Sequence, residues 1–137
     1  MNGLALAGAA EGLIGTPFRL GGRDPASGLD CLGLFAAAMA RIGRQAVIPS
    51  GYSLRVRDLD HWLPDPGLSD LVDAIAPFRP GDVVLLRPSA VQFHLAIAGA
   101  SRGWIHAHAS LRRVVCEPAL PRGEVVRHWR LKPELES

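Results

Sequence analysis

After Pro80-Gly81-Asp82 the chain changes period, and this change restricts the fold more than any other feature of the sequence. Upstream, apolar residues recur at helical spacing. Residues from about 3 to 14 are rich in Ala and Leu until Gly15-Thr16-Pro17 stops them. From about 30 to 42, Cys31, Leu34, Phe35, Ala38 and Ile42 fall at i, i+3, i+4 and i+7 spacing, and Gly43 supplies the stop. Downstream, residues 83–87, 93–98, 104–109, 112–116 and 125–130 read as short strands separated by turn residues. Helices first and closely spaced strands afterwards predict an α+β fold, with N-terminal helices packed on a C-terminal antiparallel β-sheet. Residues 15–29 form a Gly-rich connection. Residues 44–80 carry Pro49, Gly51, Pro64, Pro66, Gly67, Pro77 and Pro80, with short helical pieces expected near 55–63 and 68–76.

A length of 137 residues fits a single domain over 1–137, and a 48% hydrophobic content is enough to build its core. The formal charge of +2 is small and dispersed, with Arg112-Arg113 the one adjacent basic pair, so nothing points to nucleic acid. No segment approaches the roughly 18 apolar residues of a membrane span. The apolar run Leu4–Ala10 lacks a basic leader and is interrupted by Glu11, so it is read as a helix of the fold, not as an export signal. The chain is therefore expected to fold in the cytoplasm, where Cys31 and Cys116 stay reduced; a Cys31–Cys116 bridge is the competing reading.

Chemistry concentrates at three places. Cys31 stands at the expected first turn of the second helix, where free backbone N–H groups and the helix dipole favour thiolate over thiol. A cysteine on an apolar helix face is otherwise a small core residue; the Gly-rich approach and Asp30 favour chemistry here. A nucleophilic thiol needs a base. His94 opens one expected strand and His106 lies twelve residues on in the next, a spacing that suits neighbouring antiparallel strands. One imidazole can take the thiol proton while the other orients it. His108 lies two residues beyond His106, on the same strand face, and competes with it for the orienting role. His-x-His with His94 and Cys31 would also suit Zn²⁺, but a cysteine at a helix start is better explained as a nucleophile, so no metal is expected. Trp62, Trp104 and Trp129 are read as core anchors, Cys116 as an inert core or strand residue, and His61 and His128 as surface or packing residues.

Three stretches together resemble the NlpC/P60 family of peptidoglycan-cleaving cysteine peptidases. They are Gly15-Thr-Pro-Phe-Arg-Leu-Gly-Gly22 leading to Gly28-Leu-Asp-Cys-Leu-Gly-Leu34, then Arg79-Pro-Gly-Asp-Val-Val-Leu85, and finally His94-Leu-Ala-Ile-Ala-Gly99 followed by Trp104-Ile-His-Ala107. The ordered set covers about residues 4–117. The resemblance implies a papain-like fold with Cys31 as nucleophile, His94 as general base and His106 as the residue that orients it. It also places Asp30 at a family position associated with the free amine of a stem peptide, a group its carboxylate is suited to anchor. The implied reaction is hydrolysis of the γ-D-glutamyl–diamino acid bond through a thioester, with no cofactor. Two positions depart from the family's habit: Phe18 stands where Tyr is usual, and Leu32 where Ser is common. The Cys-Leu-Gly-Leu form resembles compact, phage-derived members associated with tails and gene-transfer particles, which makes such particle proteins expected partners beside the stem peptide. A catalytically decayed structural subunit of a phage-like tail is one alternative. An amidase or acyltransferase acting on another amide or thioester is the second.

Overall fold

The computed structural model describes residues 3–44, 46, 70–90, 92–101 and 103–132. Helix α1 (Gly3–Glu11) is short, ending in tight turns through Leu13 and Ile14 rather than continuing to residue 14. The Gly-rich connection holds a small hairpin that local composition does not announce, β1 (Arg23–Asp24) against β2 (Gly28–Leu29). Helix α2 (Cys31–Arg41) follows immediately, capped at its start by Asp30 and closed at Ile42. The rest of the described chain is strand: β3 (Leu71–Asp73), β4 (Val83–Ser89), β5 (Gln92–Ala98), β6 (Trp104–His108), β7 (Arg113–Glu117) and β8 (Glu124–Leu131).

The six longer-range strands form one antiparallel sheet in the order β3-β8-β4-β5-β6-β7. The α+β architecture expected from the change of period is the one observed. One element differs. Residues 70–76, expected as part of a helical piece, contain the edge strand β3, whose Leu71, Val72 and Asp73 pair with Leu131, Arg130 and Trp129. Only Leu71 of the three is buried, so a chain that binds through backbone bonds to one neighbour carries no side-chain period to read. The other expected helical piece, near 55–63, lies outside the described residues, as do Trp62 and His61.

Alternation along the strands divides the apolar residues between two faces. Leu85, Phe93, Leu95, Ile97, Ile105, Val114, Trp129 and Leu131 pack with Leu6, Ala10, Leu13, Leu32, Phe35 and Met39 of the helical layer and its approach. Val84, Leu86, Ala96, Ala98 and Trp104 form a smaller cluster on the opposite face, covered in part by Leu120. Burial of Trp104 and Trp129 agrees with their reading as core anchors. Asp82, fully buried at the entry to β4, gathers the Arg79 amide, His128 and Arg130. Burial alone would raise its carboxyl; the Arg130 guanidinium, the amide and the imidazole hold it below the usual range. His128 is thus an internal partner of the turn that launches β4.

The ladder between β5 and β6 is short. Only Ile97↔Ile105 and Ala98↔Trp104 pair, next to the turn over 99–103, and beyond them the strands diverge. On the far side β6 and β7 pair over five residues, so the divergence leaves a local seam within an otherwise continuous sheet.

Candidate active site

Cys31 begins α2 because of its neighbours on both sides. The Asp30 carboxylate accepts from the Gly33 amide at 2.8 Å, the N-cap arrangement that starts a helix at the following residue. The same carboxylate accepts from the Gly21 amide at 2.9 Å and from Arg23 Nη1 at 2.8 Å, tying the cap to the hairpin loop. Gly33 is required there for space: a Cβ would come within 2.0 Å of the Gly22 carbonyl oxygen. The segment before the hairpin is fastened to the sheet by bonds from Gly15 N–H to Val114 O and from Phe18 N–H to Arg112 O. The start of α2 is therefore held against the seam.

There a cavity of about 310 Å³ opens, lined by Cys31 with Phe93 and Ala107 from the helix-side face and His94 and His106 from the other. Strands that pair tightly keep their two faces apart; the divergence of β5 and β6 lets residues of both reach one space. Phe18 lines the same cavity, whereas Leu32 is fully buried in the core. The second departure from the family's habit thus lies behind the site and the first within it.

His94 Nε2 is 2.9 Å from His106 Nδ1, with the rings edge to face. His106 Nε2 is in turn 2.6 Å from Glu117 Oε1. His108 is directed elsewhere: its Nδ1 accepts from the Leu111 amide at 3.2 Å, and its Nε2 lies 4.0 Å from Glu117 Oε1. The structure thus brings Cys31, His94 and His106 together, with His106 rather than His108 against His94. Glu117 is an addition that sequence reasoning misses. It faces Trp104 in the β6–β7 register, one diagonal step from the His106↔Val115 pair, so a long side chain can reach the imidazole. The signal lies in the two-residue alternation that puts 104 and 106 on one face of β6 and 115 and 117 on one face of β7, but that the two faces coincide is readable only once the register is known.

Asp30 sits elsewhere in the arrangement. Its side chain is 0% exposed, is engaged by three donors and does not line the cavity. In this conformation the carboxylate is turned to the helix cap and the hairpin loop instead of the cavity.

Electrostatics also differ from the expectation at the thiol. The Cys31 sulfur is met by the Leu95 amide of β5 and the Leu32 amide of α2, and both favour thiolate. Burial outweighs them, with the Asp30 charge acting in the same sense, and the thiol is pushed up to about 12. Burial likewise pulls His94 down to about 4, helped by the neighbouring His106 and His108. His106 is lowered by burial despite Glu117, which acts to raise it. A local helix-terminus effect is thus overturned by tertiary desolvation, and the resting pair is neutral thiol beside neutral imidazole.

Both cysteines are free thiols, so no Cys31–Cys116 bridge exists, and Cys116 is exposed on β7. Among the described residues no three His, Cys, Asp or Glu side chains converge in a way that could hold a metal ion. No described helix is long and apolar enough to cross a membrane.

No protein-family model matches this sequence, and no curated protein does. Solved structures do share its architecture. The NlpC/p60 domain of the peptidoglycan hydrolase SagA superposes with a TM-score of 0.62 at 22% identity, over 97% of this chain and 100% of that domain. NlpC2 from Trichomonas vaginalis gives 0.68 at 20% identity, over 97% of this chain and 48% of its own. An NlpC/P60 family protein from Bacillus cereus gives 0.62 at 19% identity, over 97% of this chain and 41% of its own. The chain spans one of these structures entirely and about half of each of the others, and its helices and antiparallel sheet fold as an NlpC/P60 domain.

Proposed function

We propose that this protein is a cysteine hydrolase acting on peptidoglycan stem peptides, with Cys31 as nucleophile and His94 as general base. The observation that carries the proposal is a thiol at a helix start sharing one cavity with a histidine whose far nitrogen is bonded to a second histidine. The match to the SagA domain supports peptidoglycan as the substrate class.

With His94 Nε2 engaged by His106, Nδ1 is the nitrogen left to serve the thiol. Because burial holds the proton on sulfur at rest, proton transfer to His94 and attack of sulfur on the scissile carbonyl proceed together. The carbonyl oxygen becomes an oxyanion, for which the backbone N–H groups at the start of α2 are the available donors. The C–N bond then breaks, and the proton on His94 passes to the leaving amine, leaving a thioester on Cys31. Water adds to the thioester while His94 takes its proton. Release of the acid breaks the C–S bond and the sulfur recovers the proton. The bond is assigned as the one between γ-D-glutamyl and the diamino acid. Asp30 is assigned the positioning of Cys31, through the helix cap, in place of ammonium anchoring.

The test is digestion of purified peptidoglycan by wild type and Cys31→Ala, with soluble fragments identified by mass spectrometry. Fragments ending in the γ-D-glutamyl residue, absent with the variant, are expected. Release of nothing by wild type while Cys31 still forms an acyl adduct with a small activated ester would move the substrate to another amide or thioester. Neither release nor adduct would favour a structural role.

A further inference from the structure

We infer that Glu117 is a positioning residue of the site: its carboxylate fixes the tautomers of His106 and His94 so that the nitrogen of His94 facing the thiol side is the one without a proton. The inference rests on Cys31 and His94 being the reacting pair.

Three bonds in series dictate it. An ionised carboxylate can only accept, so the 2.6 Å contact with Glu117 Oε1 requires a proton on His106 Nε2. The opposite tautomer would set a nitrogen lone pair against a carboxylate oxygen at that distance. A neutral His106 protonated on Nε2 presents a bare Nδ1, which at 2.9 Å must accept from His94 Nε2. A neutral His94 protonated on Nε2 has a bare Nδ1. The choice made by one carboxylate is thus transmitted through two rings to the base. Without that carboxylate, His106 could carry its proton on either nitrogen. In its Nδ1-protonated form it would make His94 Nε2 the acceptor and place the proton of His94 on Nδ1, which disables the base.

The surroundings of Glu117 agree with the assignment. His108 accepts the Leu111 amide on Nδ1, so its own proton is on Nε2, the nitrogen turned toward Glu117 Oε1 at 4.0 Å. Two imidazole N–H groups therefore face the same carboxylate. When His94 takes the thiol proton, the imidazolium forms at one end of a chain whose other end is negative. The His106 side chain is only 5% exposed, so water cannot readily replace Glu117 as its partner; Glu117 itself is 44% exposed and fills no core space. Removing it should leave the fold intact.

The test uses protein labelled with ¹⁵N in the imidazole rings, compared as wild type, Glu117→Ala and Glu117→Gln at neutral pH. In wild type, His106 and His94 are each expected to show a protonated Nε2 and a bare Nδ1. Glu117→Ala should mix the tautomers of both rings, lower the melting temperature by only about 3 to 5 °C for the one lost bond, and lower kcat by about 10- to 100-fold with KM nearly unchanged. Glu117→Gln, whose amide oxygen can still accept, should recover part of both signals. A proton on His94 Nδ1 in wild type, or tautomers unmoved in Glu117→Ala, would overturn the inference. Peptidoglycan left uncut by a wild-type protein with the expected tautomers would refute the substrate assignment alone, because the ring nitrogens report the relay without any substrate.

Discussion

Replacing Asp30 separates two roles that a carboxylate beside a nucleophile can have. In the structure it caps α2 through the Gly33 amide, braces the loop through the Gly21 amide and pairs with Arg23, with none of its surface exposed. Asp30→Ala removes all three. Loss of the cap costs about 1 kcal/mol, and the lost bond from the Gly21 amide about another. The Arg23 pair adds less than its bond length suggests, about 0.5 kcal/mol, because that side chain is 35% exposed and water screens it. The sum is about 2.5 kcal/mol, a fall in melting temperature of roughly 5 to 10 °C for a domain of this size. Asp30→Asn keeps one oxygen acceptor and should lose about half as much. Urea unfolding followed by circular dichroism measures the loss. Activity on stem peptides with free and acetylated amino termini gives the comparison, since a brace affects both equally. The reasoning would be refuted by a variant as stable as wild type whose KM rises only for the free-amine substrate. That result would restore the ammonium anchor implied by family resemblance.

Three further outcomes follow from burial and spacing. His94 is held near 4 against about 6.5 unfolded, so below pH 6.5 the unfolded state binds the proton that the folded state refuses. Stability should be full above pH 6.5 and decline by about 3 kcal/mol toward pH 4; urea midpoints across that range test it, and a flat profile would count against a buried neutral imidazole. With its thiol near 12, Cys31 should be alkylated by iodoacetamide at pH 8 well after the exposed Cys116, and peptide mapping would show the order; modification of Cys31 first would contradict its burial. Gly33→Ala should destabilise by about 2 kcal/mol or more, since the new methyl must displace the Gly22 carbonyl, and an unchanged melting temperature would show that the loop yields freely.

What was legible in the sequence followed the range of the interactions involved. The helix from 31 to 41 and the longer strands announce themselves through side-chain period and Gly or Pro punctuation, which are local. Asp30 falls at the expected helix start for the same reason, but its capping role emerges only from the structure, and its bonds to Gly21 and Arg23 depend on a hairpin of two-residue strands that has no pattern to read. Strand β3 was hidden because two of its three side chains face solvent. Cys31, His94 and His106 could be nominated from order and spacing, yet the sign of the thiol's shift could not. The helix terminus acts over one turn and is visible in sequence, whereas desolvation is set by residues brought in from β5 and β6. Glu117 required the β6–β7 register, which no single strand contains.

The short β5–β6 ladder has a consequence for how such a site can be altered. A closed sheet spends each interior amide on a neighbouring strand; here the Leu95 amide is left to face sulfur instead. The donor that favours thiolate is therefore an unmade rung, and no substitution at position 95 other than proline deletes it. Activity and sheet completion compete for the same hydrogen. Changes that zip β5 further onto β6 should make the protein sturdier and chemically mute, even when Cys31, His94 and His106 are all still in place.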